Sequence, residues 1–212
     1  MGNSRARSEI EIKNRQQEII NACRSIYLSS GYDAVNIKEI ASLISLSRTA
    51  IYTYYKTKEE IFLDVLIQEF GNWKEDLESG YHAIEPGDKI AYCYFITDLL
   101  LNHSTLLHLM AEQYDLIENN SRFEKLSAYK TNVFPVFDSF LKITKEIFPS
   151  STSASLDHFR IYIFSSIGPL YSLSNPTKKQ ISAIEKTKFH RVLNFRDLFY
   201  EHAIMVSRDL II

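Results

Sequence analysis

Apolar side chains recur along this chain at three- and four-residue spacing, the period of a helix face. Ile12, Ile19, Cys23, Ile26 and Ser30 share one such face, widened by Ile20 and Tyr27, and Gly31 is a natural residue to follow the last turn. Asn36-Ile37-Lys38-Glu39 has the spacing of a capping box, and Ile37, Ile40, Ala41 and Ile44 then mark a short helix. Ser47 is placed to cap a second short helix carrying Ile51 and Tyr55. Thr57-Lys58-Glu59-Glu60 is another capping box. It opens a longer helix with Ile61, Phe62, Val65, Leu66, Glu69, Phe70 and Trp73 along its face.

Beyond about residue 80 the helices become more apolar. Glu85-Pro86-Gly87-Asp88 reads as a turn, followed by a helix to about Asn102. With Ile90, Ala91, Tyr94, Phe95, Leu99, Leu100 and Leu101 on most sides, this helix is expected to be buried all round. Ser104 is expected to cap one helix through Ile117, ended by Asn119-Asn120. A long pattern from Ser121 to Phe148 contains Pro135, which should kink or split it. Pro149 to Ser155 is a polar loop, and Gly168-Pro169 predicts a bend within the apolar stretch from Leu156 to Leu173. Residues 175–190 are basic, with Lys178, Lys179, Lys186, Lys188 and His190, and read as a solvated loop or short helix. A final helix is expected from Asn194 or Phe195 to the C-terminus.

Composition sharpens the fold class. The 6 Gly and 5 Pro make 11 of 212 residues, about 5% against about 12% in an average domain. Too few turn-formers remain for an all-β sandwich or barrel, and 45% hydrophobic content can fill a core. The expectation is an all-α protein. Its parts are an N-terminal three-helix domain with a helix-turn-helix over 1–57, a connecting helix over 58–80 and a larger helical domain over 81–212. Net charge is −2, so no overall field selects a partner. Residues 1–60 hold 9 Lys/Arg and 7 Asp/Glu, net +2, which matters only beside a motif. Cys23 and Cys93 form no CxxC and read as reduced core thiols. The polar N-terminus has no signal-peptide core and no apolar stretch reaches membrane-spanning length, so a cytoplasmic location without membrane contact is expected.

The stretch from Ile37 to Lys56 carries the most chemistry. Two short capped helices are separated by Ser45-Leu46, small Ala41 sits where such helices approach closely, and Ile40, Ile44, Leu46, Ile51 and Tyr54 fall at apolar or half-buried positions. The second helix, about Ser47 to Tyr55, is then the recognition helix of a helix-turn-helix, its N-terminal side chains meeting base edges in the major groove. Arg48 suits a bidentate pair with guanine, and Ser47, Thr49 and Thr53 offer hydroxyl or methyl contacts. Tyr52, Tyr54 and Lys58 suit phosphates, and Lys38 the backbone or a base. The rival reading makes the tyrosines a mini-core, which fits Tyr55 best.

Residues 17–66 resemble the N-terminal DNA-binding domain of TetR-like (TetR/AcrR) transcriptional regulators. The resemblance lies in Ile19 to Tyr27, Gly31-Tyr32, Ile40-Ala41, Leu46-Ser47-Arg48-Thr49-Ala50-Ile51-Tyr52 and Tyr54-Tyr55-x-x-Lys58-Glu59-Glu60-Ile61. It implies that Lys38, Arg48, Thr49, Tyr52, Tyr54 and Lys58 occupy positions that commonly touch DNA. Ser45 replaces the usual turn glycine, where a left-handed conformation would be slightly strained, and Lys56 stands where proline is common and could add a phosphate contact. The resemblance further implies a homodimeric repressor, released from a palindromic double-stranded operator by a small-molecule effector. A dimer seam is expected from Phe159, Ile163, Ile167, Leu170, Phe195, Phe199, Ala203, Val206 and Leu210, and an effector pocket from Tyr94, His103, His108, Met110, Tyr114, Phe137, Phe140 and Tyr162. The alternatives are a helical DNA binder or adaptor without ligand response, and an enzyme. Against an enzyme, the six histidines form no HExxH, Ser165-Ser166-Ile167-Gly168 is no nucleophile elbow and no glycine-rich phosphate loop exists. No catalytic residue, metal site or cofactor is expected.

Overall fold

The first helix ends where Gly31 takes φ 80° and ψ 177°, a backbone region essentially closed to residues with a Cβ. The computed structural model describes residues 2–112, 114–187 and 193–212, with the backbone alone for 2–8 and 112. Among these residues every regular element is helical. The order is α1 (Gly2–Ser30), α2 (Ile37–Leu43), α3 (Arg48–Tyr54), α4 (Lys58–Gly80), α5 (Lys89–Asn102) and α6 (Ser104–Glu112). Then follow α7 (Tyr114–Asn119), α8 (Phe123–Ile147), α9 (Ser153–Ser174), α10 (Lys178–Ile184) and α11 (Phe195–Val206). No helix among the described residues is long and apolar enough to cross a membrane, and no cluster of metal-ligating side chains occurs among them.

The chain divides into two compact units. Unit 1 comprises Met1–Gln68 and Asp115–Thr131, and unit 2 comprises Glu69–Tyr114 and Asn132–Ile212. Residues 115–131 thus group with the helix-turn-helix region although they lie inside the stretch expected as the second domain. In unit 1, α1 packs on α2 and α2 on α3. Ile19, Cys23, Tyr27, Ile40, Ile51, Tyr55, Phe62 and Val65 are buried there. The Tyr27 ring meets Phe62 edge-on at 5.5 Å, and Tyr32 stacks on the same ring at 5.0 Å. Ile12 is exposed; the buried face of α1 begins at Ile19.

In unit 2, α11 packs on α9 and α5, and α6 on α9. The centre is aromatic: Tyr92, Phe140, Phe148 and Phe159 are buried, and Phe140 stacks on Phe159 at 5.9 Å. The Tyr92 hydroxyl is buried but bonded to Thr144 Oγ1 at 2.6 Å, which removes the penalty of an unsatisfied polar group.

Several local expectations are corrected. Helix α8 runs through Pro135 without the split expected as one outcome there, and α9 runs through Gly168 and Pro169. A proline removes one ladder bond, whereas the buried stripe Val133, Val136, Phe140 and Ile143 continues past it and holds the helix. Helix α5 is not buried all round: Ile90 is 63% and Tyr94 46% exposed. Of the helix expected from Ser104 through Ile117, residues 104–112 and 114–117 are helical, and Gln113 lies outside the described residues. No described non-glycine residue has positive φ, so Ser45 carries no left-handed strain; Ile44 makes the turn in extended conformation (φ −130°, ψ 162°). The last helix stops at Val206. The basic stretch forms the short exposed α10 behind a Thr177–Gln180 capping box; Lys188 and His190 lie outside the described residues.

Candidate nucleic-acid interface

Two caps define the helix-turn-helix. Asn36 accepts from Lys38 N and Glu39 N, both at 3.0 Å, and starts α2. Ser47 Oγ accepts from Ala50 N at 3.1 Å and starts α3. Each cap satisfies helix N–H groups that have no partner inside the helix. Within α3, Ile51 and the following Tyr55 are fully buried, which fixes the rotation of the helix. Arg48, Thr49, Tyr52 and Thr53 are therefore turned outward and exposed, on the opposite face.

The predicted contact residues differ in how free they are. Among the described residues, Arg48 and Thr49 have no side-chain hydrogen bond or ion pair, and the Tyr52 hydroxyl has none. Lys38 is exposed, with Glu39 at 3.8 Å. Ser47 is engaged as a cap, and Thr53 Oγ1 donates to Ala50 O at 2.7 Å, leaving its methyl outward. Tyr54 is half-buried and lines a groove of about 450 Å³ with Glu11, Ile12, Asn14, Arg15 and Glu18. Lys58 is engaged within the protein. Its Nζ donates to Tyr32 O at 2.9 Å and lies 3.8 Å from the centre of the Tyr32 ring, so it ties α4 to the turn after α1. Lys56 likewise folds back, Nζ donating to Tyr52 O at 2.6 Å.

One group escaped sequence reasoning. Glu60 is fully buried at the start of α4, and its carboxylate accepts from Arg122 Nε, from Arg122 Nη2 at 2.9 Å and from Lys56 N at 2.7 Å. Burial alone would raise its carboxyl pKa; Arg122 and the Lys56 N–H outweigh that and hold it below the ordinary range. Glu60 thus reaches Lys56 N, not the Thr57 N–H that a reciprocal box would use. Nothing in the sequence marks Arg122, 62 positions away, as its partner.

The pocket and seam residues are not assembled as expected. Phe137 and Phe140 both meet Phe164, at 4.8 and 5.3 Å, and Trp73 lies 6.1 Å from Phe140. His103 instead binds Asp76 at 2.9 Å, and His108 lies 5.3 Å from Tyr171. Met110 and Tyr114 are half-buried. Tyr94 and Tyr162 face solvent, the former with its ring 4.2 Å from that of Tyr200 and tilted 33° to it. Of the seam residues, Phe159, Ile163, Ile167, Phe195, Phe199, Ala203 and Leu210 are buried within the single chain, where they form core between helices of unit 2. Leu170 and Val206 are half-buried. The same helices expose Ile161, Tyr162, Leu173 and Met205.

Comparison with known proteins agrees with this geometry. Residues 19–65 match the family model for bacterial regulatory proteins of the tetR family, and residues 67–206 that for the tetracyclin repressor-like C-terminal domain. The HTH-type transcriptional regulator QacR of Staphylococcus aureus is 24% identical over 118 residues, covering 53% of this chain and 63% of that protein. The transposon Tn10 TetC protein of Escherichia coli is 29% identical over 90 residues, 36% of this chain and 46% of that one. The HTH-type transcriptional repressor AcnR of Corynebacterium jeikeium is 28% identical over 68 residues, 32% and 36% respectively. The chain thus spans under two thirds of the length of each of these relatives. A crystal structure from Mesorhizobium loti, of a protein assigned to the TetR family of transcriptional regulators, superimposes with a TM-score of 0.53 at 17% identity, over 92% of this chain and 93% of that one. That likeness is one of fold. Since the two family models together span both the helix-turn-helix and the helices that follow it, the chain belongs to the TetR family of bacterial regulatory proteins.

Proposed function

We propose that the chain is a sequence-specific DNA-binding repressor of transcription. It acts as a homodimer on a palindromic operator and is released by a small-molecule effector. The observation that carries this reading is the outer face of α3. Arg48, Thr49 and Tyr52 project there without protein partners, while Ile51 and Tyr55 anchor the opposite face. Arg48 supplies the fork that pairs with guanine, Tyr52 and Lys38 supply phosphate contacts, and Ser47 and Thr53 contribute mainly through the helix they shape.

A dimer is supported by exposed Ile161, Tyr162 and Leu173 on α9 and Met205 on α11, large apolar groups that a second copy would cover. An effector is supported by two buried donors, Trp73 Nε1 and Arg160 Nε, that have no hydrogen-bond partner among the described residues. Trp73 lies 5.8 Å from Phe164, and the Arg160 guanidinium 6.0 Å from Phe137, so an aromatic molecule bearing acceptor oxygens matches their chemistry. Selection of bound sites from random double-stranded DNA is the decisive experiment. Recovery of a two-fold symmetric site is expected; binding that is salt-dependent but blind to sequence would replace the reading by a non-specific binder.

A further inference from the structure

The turn between α3 and α4 is held from outside the helix-turn-helix. Lys56 and Thr57 follow directly on the recognition helix and its closing residue Tyr55. The Lys56 N–H is taken by Glu60, and Glu60 by Arg122, whose own backbone N–H adds a third bond at 3.4 Å. Beside it, Thr57 Oγ1 accepts from Glu60 N at 3.3 Å and donates to Asn120 O at 3.1 Å. On the other side, the Tyr55 hydroxyl donates to Asp64 Oδ2 at 2.6 Å. Lys125 Nζ binds the same oxygen at 3.2 Å and lies 4.3 Å from the Tyr55 ring centre. The corner between α7 and α8 thus grips both residues of the turn and the tyrosine that anchors α3.

We infer that Arg122 is a positioning residue for DNA recognition. Through Glu60 and the Lys56 N–H it fixes the α3–α4 turn, and with it the angle at which α3 presents Arg48 and Thr49. The inference rests on the reading that α3 contacts DNA. It also redraws the DNA-reading unit. Asn120, Arg122 and Lys125 fall within residues 67–206, matched to the C-terminal family model, yet they belong to the compact unit that holds the helix-turn-helix. The chemistry favours a permanent grip. A buried carboxylate that loses its guanidinium is left charged and unpaired, so Glu60 and Arg122 are in place together or the turn relaxes. The forked geometry, two nitrogens on two oxygens, sets direction as well as attraction.

The test uses the full chain and a site recovered with the unaltered protein. If that protein selects no site, the underlying reading fails before this inference is reached. Arg122→Met leaves a buried charge and is expected to lower Tm, so Glu60→Gln is added to remove that charge while retaining an acceptor for Lys56 N. The double variant R122M/E60Q is expected to fold and to bind the site about tenfold more weakly, the scale of one charge-assisted hydrogen bond. Binding to unrelated DNA and the salt slope should stay unchanged, and amide exchange should quicken at Lys56 and in α3. Lys56→Pro removes the N–H together with the side chain whose Nζ holds Tyr52 O, so Lys56→Ala, which loses that side chain and keeps the N–H, is its control. Tyr55 is already extended (φ −133°, ψ 134°), as a residue preceding proline must be, and the same selective loss is expected. A folded R122M/E60Q with unaltered site affinity would overturn the inference. So would a salt slope reduced by about one, which marks a phosphate contact, or an equal loss on all DNA. If the double variant does not fold, Lys56→Pro with the same site affinity as Lys56→Ala overturns it.

Discussion

Arg48 projects from α3 without a protein partner, so its removal should leave the fold intact and weaken the complex. Arg48→Ala is expected to cost about 1–3 kcal/mol in operator binding and to relax one base position, with Tm unchanged. Anisotropy titration and repeated site selection measure both, and an unaltered base preference would remove Arg48 from the base-reading set. Glu60 carries a pH signature. Its folded carboxyl pKa is lowered, so its stabilisation is complete above the unfolded value of about 4.3 and is lost as pH falls through the folded one. Glu60→Gln should therefore flatten the acid limb of a Tm–pH curve; an acid limb as steep as that of the unaltered chain would contradict this. Cys23 and Cys93 are buried, and burial pushes their thiols up to about 12 and about 11. Both should resist alkylation at pH 8 until the chain is unfolded, which mass spectrometry of iodoacetamide-treated protein detects. The burial of these cysteines and the outward placement of Arg48 were legible because both follow from helix periodicity. The sequence did not show the hold on Lys58, since the Tyr32 carbonyl and ring that bind its ammonium lie 26 positions away.

At the scale of elements, signals within four residues were legible and distant ones were not. Asn36 and Ser47 start α2 and α3 as their spacing predicted, because a cap is a contact between a side chain and its own next turn. Asn36→Ala is expected to cost about 1 kcal/mol of stability, the usual value for a lost cap, read from urea unfolding midpoints. A loss near zero would mean that packing on α1 alone holds α2. At Pro135, Gly168 and Pro169 the helices stay unbroken for the complementary reason. Their local preference against helix is outweighed by apolar stripes that run past them, and only packing reveals that balance. Buried-all-round α5 was likewise a property of composition; Ile90 and Tyr94 turned outward because the face with Tyr92, Cys93, Ile96 and Leu100 is the one its neighbours cover.

For the whole molecule, the exposed faces of α9 and α11 carry the dimer proposal. Met205→Glu should weaken self-association at micromolar concentration, with helix content unchanged, because the side chain is 63% exposed in the single chain. Sedimentation velocity checks it, and a monomer before substitution would end the dimer reading altogether. Phe199→Ala, by contrast, should destabilise by about 3–5 kcal/mol because the ring is buried within unit 2. The apolar stripes of the late helices were readable, but a stripe does not say whether its partner is the same chain or another. The sequence by itself determined an all-helical chain, the capped helix-turn-helix and the outward face of α3, because each depends on residues a few positions apart. Only the tertiary structure decided that residues 115–131 join the helix-turn-helix unit, that Arg122 holds Glu60, and that most of the expected seam is core. These rest on contacts between residues tens of positions apart, and helix periodicity says which face is apolar without saying what covers it.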